Sequence, residues 1–345
     1  DALRAVVDAS GGAPSLADQP AFRAAMAAIA PDHLAAAYVD LRATLDANPA
    51  DAAFGGATTL SAALVAEPDG LRASGVIAVD PATNAPATHD PGALGDEPSS
   101  LAQWMPAGTL ASGVTFGLAQ ALAGVESTLE AIDPTGDALG LLDTVRALAA
   151  KGLGIDKEDD VLPLLGREVG VALTGVGTDG PRGLVLIRPD DLTTAQSMIE
   201  RIVDGLVDSG AALSTTDVDG AQVTSLAVPD GPTMSYAVDG GVVLIGSSAE
   251  EIGAALSAHR SGATLAASDP YRRTFDLAGA RAGTEVFVDL GALLATGELD
   301  PALVELPADV RDILAQLGTF GFTAPSRGDS IEFHAAVTVD DGGAE

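Results

Sequence analysis

Few residues in this chain have the type and spacing that chemistry requires. "GVGTDG", residues 175–180, matches the outline of a dinucleotide-binding loop. That loop works only between a strand and a helix, where the helix N-terminus meets a pyrophosphate. The segment after it, "PRGLVLIRP", reads as a strand, so the glycines fit a hairpin. "DVDG", residues 217–220, resembles the start of a calcium loop, but the position that must supply a bidentate Glu is Val228. It reads as a turn. "DKEDD", residues 156–160, could hold a hard cation weakly and reads better as a solvated acidic loop. The histidines, His33, His89, His259 and His334, have no partner His at helical ligand spacing. There is no cysteine and no G-x-S-x-G elbow. The motifs therefore designate no catalytic, cofactor-binding or metal-ligating residue and call for no cofactor. A triad assembled in space from distant residues stays open.

The composition bounds the partners. The net charge is −32, from 49 acids against 17 bases, and the lysines are Lys151 and Lys157. Such a field repels phosphate backbones and anionic headgroups, which argues against nucleic acid and membrane surfaces. No apolar run approaches the length of a membrane-spanning helix. Aromatic residues make up 3% of the 345-residue chain, so the core must be built from Ala, Val, Leu and Ile.

One pattern organises the chain. "YVDL" at 38–41 returns as "FVDL" at 287–290. Residues 1–45 laid over 250–294 without a gap give ten identities, among them Leu16 with Leu265, Arg23 with Arg272 and Asp40 with Asp289. "LVAEPDGLRASGVIAVD" then resembles "FTAPSRGDSIEFHAAVTVD". The spacing is too long for a solenoid and reads as two copies of one unit. In the second copy "GVVLIG" precedes "SSAEE", where Ser248 and Glu251 have capping-box spacing. Asp1 aligns with Glu250, so the expectation is that the first copy lacks a strand and a cap, leaves a sheet edge unpaired, and belongs to a longer polypeptide. The repeated Asp40 and Asp289 suggest helix caps, and with Arg23 and Arg272 an Arg–Asp link in each copy.

The periodicity predicts helices at 1–9, 18–30, 117–132, 138–151 and about 192–208, the last capped by Asp191. Strands are expected at 35–41, 58–66 and 71–79, in "GTLASGVTF", "REVGVALTG" and "RGLVLIRP", and in a meander over 212–246 punctuated by Asp-Gly turns. In "IEFHAAVTV" the residues Ile331, Phe333, Ala335, Val337 and Val339 share one face, expected to lie under helices. The domain reading is 1–80 as the C-terminal part of a first unit, 81–100 as a Pro/Gly-rich linker, 101–340 as a complete second unit, and 341–345 as a tail. The fold class is α+β, antiparallel sheets with helices packed on one face.

The segments "DALRAVVDASGGAPSLADQPAFRAAM", "GVVLIGSSAEEIGAALSAHRSGATLAASDPYRRTF" and "LLGREVGVALTG…RGLVLIRPDDLTTAQSMIERI" resemble the DUF3352 family, and "WMPAGTLASGV" resembles the opening of such a unit. The resemblance implies bacterial proteins often made as exported or lipid-anchored precursors, without an assigned activity or active-site residues. The expected function is a non-enzymatic cell-envelope or extracellular protein acting by protein binding or self-association through a sheet edge. The alternatives are a carrier of apolar, lipid-like ligands in a cavity between helix and sheet, and an unrecognised hydrolase.

Overall fold

A computed structural model describes residues 15–42, 57–80, 97–118, 165, 167–177, 180–218, 220–229, 231, 233–297, 307–327 and 330–339. The helices expected at 1–9, 117–132 and 138–151, and the acidic loop 156–160, fall outside these residues, apart from 117 and 118.

In chain order the elements are a 3-10 turn Leu16–Asp18, α1 Pro20–Ala27, β1 Ala35–Asp40, β2 Ala57–Glu67, β3 Gly70–Val79, a 3-10 turn Leu101–Gln103, β4 Ala111–Phe116, β5 Glu168–Gly177, β6 Gly180–Arg188, α2 Leu192–Asp208, β7 Ala212–Val218, β8 Ala221–Ala227, β9 Thr233–Asp239, β10 Val242–Gly246, α3 Ala249–Ser261, a 3-10 turn Leu265–Ala267, α4 Asp269–Ala278, β11 Thr284–Asp289, α5 Leu290–Ala295, α6 Ala308–Leu314, β12 Leu317–Ala324, β13 Ser326–Arg327 and β14 Ser330–Val339. The helix expected over 18–30 is split. The chain is extended at Gln19, and Pro20, which lacks an amide donor, opens α1.

The strands form one 14-stranded sheet in the order β1-β2-β3-β14-β12-β11-β4-β5-β6-β10-β9-β8-β7, with β13 extending the β12 pairing along β14. Every named pair is antiparallel. The sheet is thus continuous, joined through β3 and β14. The turns are as the sequence reads. Gly70 closes the β2–β3 turn at φ +153°, where an added Cβ would lie 2.0 Å from the Val337 carbonyl oxygen. Asp191 accepts from the amides of Thr193 and Thr194 at the start of α2.

Helices cover both faces, not one. Alternating strand residues feed two cores. Leu184, Leu186, Val242 and Leu244 pack with α3, α4 and the Leu101–Gln103 turn. Val169, Ile187 and Val243 pack against Ala195, Met198 and Val203 of α2 on the reverse side. The apolar stripe of α2 needs a second face because α3 and α4 already fill the first. The burial expected of β14 is inverted. Ala336 and Thr338 are buried on the α4 side, while Val337 and Phe333 are half-buried on the other. The small side chains let the helix approach closely. Gly321 on β12 is the limiting case, since a Cβ there would lie 2.5 Å from Cγ2 of Thr274.

Two parts of the sheet carry matched geometry. The turns at Leu16 and Leu265, the helices opening at Pro20 and Asp269, and the strands Ala35–Asp40 and Thr284–Asp289 stand at one constant spacing. Asp40 pairs with Thr59 as Asp289 pairs with Thr319. Glu67 pairs with Gly70 as Arg327 pairs with Ser330. A register slip lies between Ala57 and Thr59 and another between Leu317 and Phe320. Phe22 meets Tyr38 edge-on at 5.1 Å, and Tyr271 meets Phe287 at 5.2 Å. No helix among the described residues is long and apolar enough to cross a membrane.

Candidate functional site

The sequence candidates resolve into turns and caps. Gly177 and Gly180 pair across the β5–β6 hairpin, so "GVGTDG" joins two strands. Asp217 accepts from the Gly220 amide at 3.0 Å in the β7–β8 turn. His33 contacts the Ala30 carbonyl at 2.8 Å. His259 contacts the Gln103 carbonyl at 3.0 Å and stacks on Trp104 at 3.6 Å. His334 lies 3.6 Å from Glu332. His89 falls outside the described residues. Among the described residues, no three His, Asp or Glu side chains converge as a metal site would.

The Arg–Asp link does not form. Arg272 pairs with Asp269 on its own helix, while Asp289 caps α5 by accepting from the Ala292 amide at 2.8 Å. No ion pair joins Arg23 to Asp40. The capping box is half made. Ser248 accepts from the Glu251 amide at 3.2 Å, but the Glu251 side chain leaves the helix start for Thr174 Oγ1 and Arg182. Two strand partners outcompete one backbone amide.

The polar groups that sequence reading missed are two buried carboxylates. Glu168 opens β5 at 2% exposure. It accepts from Ser99 Oγ at 2.6 Å, Ser100 N at 2.9 Å, Ser100 Oγ at 2.6 Å and Leu101 N at 3.3 Å, with Arg188 Nε 3.7 Å away. Glu285 on β11 accepts from Ser99 N at 3.0 Å and from the Tyr271 hydroxyl at 2.6 Å, and Arg281 lies over the Tyr271 ring at 4.8 Å. Burial first, then the charge of Glu285, pushes the Tyr271 phenol far above its ordinary range, so it stays a donor. The signal was present in "TEVFV": alternation puts Glu285 on the face of Phe287, which is buried. These groups tie Ser99 and Ser100 to the sheet, and Arg281 Nε, buried 3.8 Å from Glu285, has no hydrogen-bond partner among the described residues.

The described sheet has two open ends, β1 and β7, and β1 is the one whose counterpart in the chain, β11, is covered. β11 lies between β12 and β4, with Val288 opposite Ala111 and Glu285 opposite Val114. β1 pairs with β2 on one side and with no strand on the other among the described residues. Its residues are exposed apart from Tyr38, with Val39 at 38% and the preceding Leu34 at 67%. Behind that edge runs an apolar face turned away from α1 and α4. The register places Leu64, Ala73, Ala335, Phe322, Val286 and, beyond Gly113, Val171 in one row across it. These side chains are partly exposed, and Val171 is 52% exposed.

The family described as "Protein of unknown function (DUF3352)" matches residues 1–339. The chain belongs to this family. No curated protein matches it. A solved structure described as crystal form III of TP0453 is similar over 70% of this chain and 94% of that one, at 10% identity and a TM-score of 0.32. The DUF3352 description carries no activity, so what this chain can bind follows from its own surfaces.

Proposed function

We propose that this DUF3352 chain is built from two related units and acts without catalysis, by binding protein through the outer edge of β1. The observation that carries the reading is the contrast between β1 and β11. Both have the same length, the same spacing after a 3-10 turn and helix, and the same register on their inner neighbour. β11 is covered by β4, and β1 offers its backbone groups to an incoming strand. An edge of this kind recruits an extended segment, with affinity from main-chain hydrogen bonds and selectivity from alternate side chains. The pairing of β4 on β11 describes the fitting partner: an antiparallel segment of small and β-branched residues such as "TLASGVTF". A cell-envelope or extracellular setting belongs to the same proposal and is supported by family resemblance.

The test is sedimentation equilibrium of the chain alone, together with titration of a peptide of sequence TLASGVTF. Reversible self-association or saturable peptide binding is expected, and Ala37→Lys or Val39→Lys should remove it by placing a charge on the edge. A chain that remains monomeric at every concentration and ignores the peptide would overturn the reading.

A further inference from the structure

We propose that the space between α1 and the sheet is a binding site for a small uncharged ligand, apolar along most of its length and bearing one hydroxyl or carbonyl group. A cavity of about 340 Å³ lies there. That is at the lower end of the range for small-molecule sites, about 300–1,000 Å³. One wall is the small-residue face of α1, Ala21, Ala24, Ala25 and Ala28, and the floor is Thr59, Ser61 and Ala78 on the strands.

The matching place under α4 shows why the space exists. There Thr274 bonds Thr319, and Thr319 bonds Thr338 at 2.8 Å, all three buried. By spacing and register these three correspond to Ala25, Thr59 and Ala78, and Leu277 corresponds to Ala28. Three side chains are cut back around the first site, and the threonine that remains, Thr59, loses both hydroxyl partners. Gly321, which leaves no room for a Cβ, corresponds to Ser61. Ser61 is 2% exposed, lines the cavity and has no side-chain hydrogen bond among the described residues. A hydroxyl that lines an alanine-walled space without a partner among the described residues departs from the pairing such groups almost always have. A ligand hydroxyl or carbonyl supplies it. Arg42 and Asp40 both line the cavity, but Arg42 is already paired with Asp80 at 2.9 Å and the chain carries −32, so an anionic head group is disfavoured.

The site lies on the helix-covered face and does not depend on strand addition at β1; either can fail alone. The experiment titrates the full chain with 1-octanol, octane and octanoate, read by calorimetry and by methyl NMR of the alanines. Saturable 1-octanol binding that shifts Ala25 and Ala28 is expected, with octanoate weaker. Filling the site with the second part's residues (Ala25→Thr, Ala28→Leu and Ala78→Thr together) should weaken 1-octanol by about tenfold or more. Ser61→Ala, too small a change to threaten folding, should weaken 1-octanol by about fivefold and leave octane unchanged. Absence of saturable 1-octanol binding, binding that the Ser61→Ala protein retains in full, or a folded filled variant that binds as tightly as the parent would overturn the assignment.

Discussion

Gly321 and Thr274 should be energetically coupled, and the size of that coupling follows from their geometry. Thr274 is fully buried, donates to the Pro270 carbonyl at 2.7 Å or to Thr319, and holds its Cγ2 2.5 Å from where a Cβ on Gly321 would stand. Gly321→Ser installs the residue found at the corresponding position on β2, into a space that is already occupied. Overpacking of this kind costs about 1–3 kcal/mol. Thr274→Ala removes a buried methyl and a hydroxyl whose partner Thr319 keeps Thr338, a loss of about 1–2 kcal/mol. Thr274→Ala also clears the atom that Gly321→Ser collides with. The double variant should therefore recover about 1–2 kcal/mol relative to the sum of the single losses, within the range seen for residues in contact. Urea unfolding of the four proteins, with a common slope as the check that the same transition is followed, measures this directly. Additivity within about 0.5 kcal/mol would refute the claim that a one-residue difference under the helix separates the filled place from the cavity.

Glu168→Ala should destabilise the chain by about 3–5 kcal/mol, measured by chemical denaturation, because it takes the acceptor from two serine hydroxyls and the Ser100 amide and the counter-charge from Arg188 around a buried hole. Ser248→Ala should cost about 1 kcal/mol through the lost N-cap of α3, a loss visible as earlier hydrogen exchange in its first turn. At the start of α2, hydrogen bonds from Thr194 and Thr193 hold the Asp191 carboxyl below its usual range. The folded value lies below the unfolded one, so the cap contributes fully above the ordinary carboxylate pKa and its contribution is lost as pH falls through the depressed value. Amide exchange at Thr193 and Thr194 should accelerate only in that acid window, and in Asp191→Asn the acid dependence should vanish.

Strands and turns were legible because their signals are local. Asp-Gly pairs at 69–70 and 239–240 mark tight turns, and the unbroken apolar runs in "GLVLIRP" and "GVVLIG" mark strands covered on both faces. The continuity of the sheet was hidden, since β3 and β14 lie far apart in the chain and nothing in either announces the other. The burial of β14 was misread for a related reason. Hydrophobicity alone chose Ile331 and Val337 for the helix side, whereas close helix approach selected the small residues Ala336 and Thr338. The carboxylates Glu168 and Glu285 resemble surface acids in a chain this acidic, and only the serines at 99 and 100, inside what reads as a linker, give them partners. The cavity could have been found. The gapless alignment places Ala25 on Thr274 and Ala28 on Leu277, a loss of volume that Ile29 on Ala278 offsets only in part.

The join between the proposed units explains which edge is left for a partner. β3 meets β14 antiparallel, with Ser74 opposite His334 and pairs extending evenly to either side, from Gly70 with Thr338 to Ala78 with Ser330. The β2–β3 and β12–β14 registers make Ser74 and His334 equivalent positions. A pairing centred on two equivalent residues has local two-fold symmetry, the arrangement an isologous dimer adopts when identical edges meet. Each unit then contributes β3 or β14 to the join, and its other side lies beyond β1 or β11. On the β11 side the chain runs on through β4 to β10 and ends at β7. On the β1 side the described sheet stops at β1 itself. Pairing through the inner edges consumes the symmetric surface, so any further assembly must use the unlike ends. A β1-to-β7 contact between copies would be head-to-tail and would not close on itself, giving chains of sheets, whereas a β1-to-β1 contact gives a closed dimer. The sedimentation experiment separates these: an open series of masses for the first, a single doubled mass for the second, and Val39→Lys should abolish both.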